Sequence, residues 1–333
     1  MEIVSKSGIS QKRETHIGNN MKQTTTISFI IPTYNEELFL PKVLSSIKQL
    51  VSNIVYEIIV VDNGSTDATT RIAQECGAKV IVDSSKTIAG LRNLGARYAV
   101  GKVLVFLDGD VIITHEWVEN IFKVVTSIEH NNQIITGSRY GIINNPGWIE
   151  KHWFLPMTHE KARYINGGHL IVDRDVFNEI GGFTDSLITG EDWEFCMRAK
   201  QKGMVIFNNP DLRVIHEGYP KNLRQFIRRE KWLGIQDFYN ISTFLKSRPA
   251  IFASLYWFSG ILGIFLFLYY KSVIYIIIAF ITNSIFCIFA TLNKKTQFPL
   301  NVIYYFLLYH AYFFARGLSL IDSLLQKHTR SGK

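Results

Sequence analysis

From Thr26 onward, short runs of β-branched and aromatic residues alternate with longer amphipathic stretches, and each run ends in polar, often acidic, residues. The runs I-S-F-I-I-P (Ile27 to Pro32), E-I-I-V-V-D (Glu57 to Asp62), K-V-I-V-D (Lys79 to Asp83) and V-L-V-F-L-D (Val103 to Asp108) predict strands. Helices are predicted between them, near Glu37 to Leu50, Asp67 to Cys76 and Ala89 to Val100. Strands that are apolar throughout and alternate with helices imply a mostly parallel sheet covered on both faces, an α/β domain. Ligands of such sheets bind beyond the carboxyl ends of the strands. The words P-T-Y-N-E-E, D-N-G-S-T-D and D-G-D all fall there. A purely structural domain also has turns at those ends, but it does not need acids at several neighbouring ones.

In D-N-G-S-T-D, Gly64 permits the turn, and Thr66 and Asp67 can cap the following helix. Capping leaves Asp62 unexplained: a carboxylate ending a buried strand can accept a hydrogen bond from a base N–H. Glu36 could likewise accept ribose hydroxyls. Asp108 and Asp110 follow the fourth strand, and carboxylates together with phosphate oxygens are hard ligands for Mg²⁺ or Mn²⁺. An ordinary turn explains an isolated D-x-D equally well; its place in the α/β series favours the metal-phosphate reading. Arg92, in L-R-N-L-G, could reach the same phosphates or be a solvated helix charge. Glu191 and Asp192 open a helical stretch, where acids favour the helix dipole, and one of them could serve as a general base. His216 ends a further β-like run and could complete a metal site. The paired glycines in N-G-G-H and E-I-G-G-F allow either close backbone approach or tight turns.

Three apolar segments follow Pro249: Ala250 to Tyr270, Ser272 to Leu292 and Leu300 to Leu325. The first two have roughly the 20 residues a membrane span needs. The third carries His310, Arg316 and Asp322, so it reads either as a span with a polar face or as an interfacial helix. The formal net charge of +8 is concentrated most clearly at Lys221 to Arg248, beside the apolar part, which suits an anionic membrane surface. Aromatic residues gather in the apolar tail instead of interleaving with a basic patch, which argues against nucleic acid as a partner. Three scattered cysteines argue against a disulfide framework or a zinc site and point to a reducing compartment.

Taken in order, P-T-Y-N-E-E, V-D-N-G-S-T-D, L-R-N-L-G, L-D-G-D, G-G and G-E-D-W-E-F resemble family 2 glycosyltransferases with the GT-A fold, over roughly Thr26 to Gly218. The resemblance implies inverting transfer of a sugar from a nucleotide-diphosphate donor with Mg²⁺ or Mn²⁺. By motif position it implies that Pro32, Tyr34, Glu36 and Asp62 contact the nucleoside, Arg92 the donor, and Asp108 the ribose or metal. Asp110 and His216 would hold the metal, and Asp192 would be the base. Processive members carry Q-x-x-R-W after the catalytic domain; here Gln225 is followed by F-I-R-R-E-K-W, with Trp232 displaced. Single-sugar transfer is therefore expected.

The domain organisation expected is a disordered leader (1–24), a GT-A domain (25–220), a basic juxtamembrane or interfacial segment (221–249), two or three membrane helices (250–326) and a basic tail (327–333). The first reading is a multi-pass cell-membrane enzyme with its catalytic domain on the cytoplasmic side, acting on a hydroxyl of a lipid-linked glycan or glycolipid. Transfer to polyprenyl phosphate is the alternative, and a catalytically silent membrane scaffold of the same fold is a third.

Overall fold

The computed structural model describes residues 27–50, 54–131, 133–158, 164–293 and 302–331; the expected leader lies outside them. Four strands form where the apolar runs predict them: β1 (Ile27–Thr33), β2 (Tyr56–Asp62), β3 (Lys79–Val82) and β4 (Val103–Leu107). The intervening helices are α1 (Leu40–Leu50), α2 (Thr69–Glu75) and α3 (Ile88–Tyr98). The first two start later than their amphipathic pattern because the polar words between strand and helix are spent on loops.

Further along come β5 (Val111–Ile113), α4 (His115–His130), β6 (Ile134–Gly137) and β7 (Tyr140–Gly141). A π-helical turn, Glu150–Phe154, then runs into α5 (Leu155–Thr158). They are followed by β8 (His169–Asp173), α6 (Arg174–Ile180), α7 (Glu191–Gln201), β9 (Val205–Asn208) and β10 (Val214–His216). The seven-stranded sheet has the order β3-β2-β1-β4-β8-β6-β9, and only β8 runs against the rest. Two apolar layers cover it. One contains Phe29, Val105 and Trp117 beneath α1 and α4; the other contains Phe106, Phe177 and Phe195 beneath α3, α6 and α7.

Two registers position the site. Antiparallel pairing of β8 with β4 sets Leu107 opposite His169, so Gly168 comes against Asp108. A small second sheet, β5-β10-β7, sets His216 opposite Val111 and so beside Asp110.

The rest of the described chain is helical: α8 (Leu223–Leu233), a 3₁₀ turn (Gln236–Phe238), α9 (Ile241–Lys246), α10 (Arg248–Tyr270), α11 (Ile274–Asn293) and α12 (Val302–Ser331). Ser247 caps α10 through Ala250 N–H, with Pro249 in the first turn, where its missing N–H costs nothing. Among the described residues, α10 and α11 are the two helices long and apolar enough to cross a membrane, and most of their surface is uncovered by protein. They cross closely at Gly263, where a Cβ would run into Ala279. The third apolar segment becomes α12, which continues past the expected boundary at residue 326 to Ser331.

Candidate active site

The first two polar words brace each other. Thr33 and Asp62 are register partners, and Thr33 Oγ1 donates to Asp62 at 3.0 Å. The backbone N–H groups of Gly64 and Ser65 and the Ser65 hydroxyl also donate to Asp62, at 2.9, 2.7 and 2.5 Å. Four accepted bonds fill a carboxylate's capacity. Asp62 thus shapes the floor of the site and is fully buried; it is not free to receive a base N–H. Asn35, at φ 55°, accepts from Thr66 N–H, and Glu37 N–H donates to Asp67, so the loop after β1 is laced to the loop after β2.

A cavity of about 600 Å³ opens above these loops, lined by Pro32, Tyr34, Glu36, Asp108, Asp110 and His216. Tyr34 is 57% exposed, ready to face a flat group. Burial, with the charges of Asp110 and Asp108 adding to it, pushes the Glu36 carboxyl up to about 8. Asp110 is likewise raised, chiefly by burial. This crowding of carboxylates favours a cation.

Arg92 does not line the cavity, although the sequence suggested contact with donor phosphates. It is buried behind the cavity, with Nη2 2.7 Å from Asp108 Oδ1 and Nη1 2.5 Å from Glu191 Oε1. Its place on the inner face of α3, pointing at the open ends of β4 and β8, makes it a clamp between the D-x-D strand and α7. Gly167 and Gly168 permit this approach: a Cβ on Gly167 would press on the Arg92 guanidinium, and one on Gly168 would overlap Asp108. The other glycine pair does different work. Gly181 and Gly182, at φ 95° and 65°, supply the left-handed turn that ends α6.

Glu191, committed to Arg92, leaves Asp192 as the free carboxylate of the pair. Asp192 accepts from Gly167 N–H at 3.1 Å and from Trp193 N–H at 2.7 Å. Burial, then the neighbouring charge of Glu191, push it up to about 6. A carboxylate so poised can take a proton near neutral pH.

His216 Nε2 lies 3.5 Å from Asp110 Oδ2, and its ring stacks on Tyr219 at 4.2 Å between centroids. Its Nδ1 is buried without a partner, and burial holds the imidazole below its usual range, which favours the neutral form. Gly218 lies against Asp110, where a Cβ would overlap the carboxylate. Among the described residues no three His, Cys, Asp or Glu side chains gather to hold an ion unaided. One carboxylate and one imidazole could serve as protein ligands to Mg²⁺ or Mn²⁺ only if phosphate or water supplied the rest.

Other cavity residues were given no place in the site by the sequence reading: Asn63, Lys86, Thr87, Ile188 and Trp232. Asn63 has a buried side-chain oxygen without a protein partner. Lys86 follows β3, so the rule that flagged the other strand ends also applied to D-S-S-K-T. Ile188 and Trp232 are joined to the cavity only by tertiary folding: Thr189 Oγ1 reaches Leu233 O at 3.4 Å and draws the loop before α7 onto α8.

A sheet of this order, with a D-x-D at the end of its fourth strand and a carboxylate pair at the start of α7, defines a GT-A glycosyltransferase. The glycosyl transferase family 2 profile matches residues 28–183, and this part of the chain belongs to that family. Glycosyltransferase AglE of Haloferax volcanii is 28% identical over 208 residues, 58% of this chain and 67% of that protein. Dolichol-phosphate mannosyltransferase of Pyrococcus furiosus is 36% identical over 163 residues, 47% of this chain and 45% of that protein. Pre-mycofactocin glycosyltransferase of Mycobacterium tuberculosis is matched over only 46% of its length, so this chain spans between about half and two thirds of such relatives. The mannosyltransferase PcManGT of Pyrobaculum calidifontis, solved with GDP-Man and Mn²⁺, shares the fold with a TM-score of 0.58 at 16% identity, covering 92% of this chain and 89% of its own.

Proposed function

We propose that this protein is an inverting glycosyltransferase that moves one sugar from a nucleotide-diphosphate sugar to a hydroxyl of a membrane-associated glycan or glycolipid. The observation that carries the reading is Asp192. It is a half-buried carboxylate raised to about 6 and oriented by Gly167 N–H, one residue from the Glu191–Arg92–Asp108 clamp. In this scheme the acceptor oxygen attacks the anomeric carbon, its proton passes to Asp192, and the bond from that carbon to the diphosphate oxygen breaks. Tyr34 and Glu36 flank the nucleoside, with Pro32 and Asp62 shaping the wall behind it. Asp108 lies at the ribose, and Arg92 acts by holding Asp108 and Glu191. Mg²⁺ or Mn²⁺ at Asp110 and His216 would offset the charge of the departing diphosphate; the solved PcManGT complex contains Mn²⁺.

The catalytic domain is proposed to occupy residues 25–220, the basic juxtamembrane segment 221–249 and the membrane-associated helices 250–326. Seven Lys and Arg against two acids in 221–249 favour the cytoplasmic side for the site, with α10 and α11 as a membrane hairpin whose tip is at Lys271. The second reading, transfer to polyprenyl phosphate, draws support from the dolichol-phosphate mannosyltransferase similarity. An acceptor phosphate is already an anion and needs no base, so the two readings differ in their demand for Asp192.

The test is release of nucleoside diphosphate from a panel of nucleotide sugars by the detergent-solubilised protein, with divalent metal and native lipid extract. Lipid-dependent release from one donor, lost in Asp110→Asn, is expected. Absence of both release and nucleotide binding from every donor would overturn the reading in favour of a silent scaffold.

A further inference from the structure

The contacts of α12 distinguish it from the two helices before it. From Tyr304 to Asp322 its inner face lies on the π-helical turn of the catalytic domain and on α8 with the 3₁₀ turn after it. Tyr304 stacks on His152 at 4.2 Å, and Tyr312 packs on Trp153 at 5.3 Å. Arg316 bridges Glu230 and Asp237 at 3.1 Å each. Ser319 Oγ donates to Lys231 O at 2.7 Å, and Asp322 pairs with Lys231 at 2.9 Å. At about 1.5 Å per residue these contacts cover roughly 27 Å of helix. A helix tied to α8 and to the π-helical turn over that length cannot cross a bilayer while those elements remain outside its hydrocarbon core.

Beside the face on which His310, Phe313 and Phe314 meet α10 and α11 runs an apolar stripe with large exposed surface. Ile303, Leu307, Phe314, Ile321 and Leu325 recur at steps of four and seven, which places them on one stripe, and all five are exposed. The short α9, immediately before α10 begins, also exposes Ile241 and Leu245, and the flanking segment is basic.

We infer that α12 lies in the plane of the membrane interface, its Ile303–Leu325 stripe in the headgroup–acyl boundary of an anionic bilayer and its polar back clamped to α8. An amphipathic helix beside a basic segment suits that boundary. The geometry also removes a conflict in charge placement: Lys327 and Arg330 stay on the same side as the basic segment 221–249. Trp232 on α8 lines the cavity, so the helix that seats on lipid is one contact away from the cavity wall. The inference rests on the reading of α10 and α11 as a membrane hairpin.

The experiment is site-directed spin labelling of the full chain in vesicles of zwitterionic and anionic phospholipid. Leu307→Cys, Phe314→Cys and Ile321→Cys are made singly in a Cys76→Ser background, with Phe265→Cys on α10 as the hairpin reference; Cys196 and Cys287 are buried. Collision with oxygen and with a water-soluble nickel chelate reports depth. Equal, shallow depths for the three α12 labels, with Phe265 deep, are expected. Depths that step by about 10 Å between successive labels, as in a span, would overturn the inference. So would three α12 labels in water with Phe265 still deep. A Phe265 label in water would instead overturn the hairpin reading, and α12's placement with it.

Discussion

Arg92 Nη1 lies 2.5 Å from Glu191 Oε1, an ion pair closed off from water between α3 and the first turn of α7. Because Nη2 also holds Asp108, one guanidinium fixes the spacing between the D-x-D strand and the helix that carries Asp192. Removing it leaves two carboxylates without their cation. Arg92→Leu is expected to lose about 3–5 kcal/mol of stability, read as a lowered denaturation midpoint, together with activity. Arg92→Lys keeps the charge but lacks the planar fork that holds both partners, so an intermediate loss is expected.

The pH dependence of the reaction follows from Asp192. Its carboxyl is raised to about 6 by burial and then by Glu191, and it accepts a proton only when ionised. Below that value the base is blocked; above it the base is free. The rate constant kcat/KM is expected to rise with pH through about 6 and then level off. A profile flat from about pH 5 to pH 8 would contradict the assignment.

Gly218 permits the close approach of Asp110 to the strand that carries His216, since a Cβ there would overlap the carboxylate. Gly218→Ala is expected to push Asp110 off position at a cost of about 1–3 kcal/mol. The concentration of Mg²⁺ or Mn²⁺ needed for half-maximal rate should rise at least severalfold while the far-ultraviolet circular dichroism is unchanged. Metal titration of the two proteins checks this.

His169, at the start of β8, accepts from Trp117 Nε1 at 2.8 Å, and burial holds it down to about 4. The unfolded chain takes up that proton near pH 6.5, before the folded chain does. His169 therefore contributes stability that is present above about 6.5 and is lost as pH falls toward 4, of order 3 kcal/mol. Glu36 and Asp192, raised in the folded state, act in the opposite sense. The comparison to make is denaturant unfolding of wild type and His169→Gln at about pH 7 and pH 5; the variant should lack the His169 part of the slope.

The sequence made β1 to β4 legible because each is an apolar run bounded by turn residues, a pattern contained in the run itself. It also exposed α10 and α11, whose length and apolar character are local. Of the small β5-β10-β7 sheet only the β-like run ending at His216 was legible, because three-residue strands such as Val111–Ile113 acquire meaning only from partners a hundred residues away. The same applies within the site. Asp108, Asp110 and Glu36 stand out as acids at strand ends, but the sequence does not say that Arg92 turns inward, away from the cavity. Nor does it say that Asp62 is saturated by its own turn, or that Trp232 reaches the cavity from α8. The fate of the third apolar segment lay in its Arg316 and Asp322, whose partners on α8 are equally non-local.

The most direct test of the central claim is single-turnover transfer of a labelled sugar to the lipid acceptor fraction by wild type and Asp192→Asn, with donor affinity measured by calorimetry on both. The account predicts a transfer rate lower by about 10²–10⁴ with donor binding unchanged, since Asp192 acts on the acceptor proton. Transfer at the wild-type rate by Asp192→Asn would contradict a base-assisted hydroxyl acceptor and point to an acceptor that is already an anion.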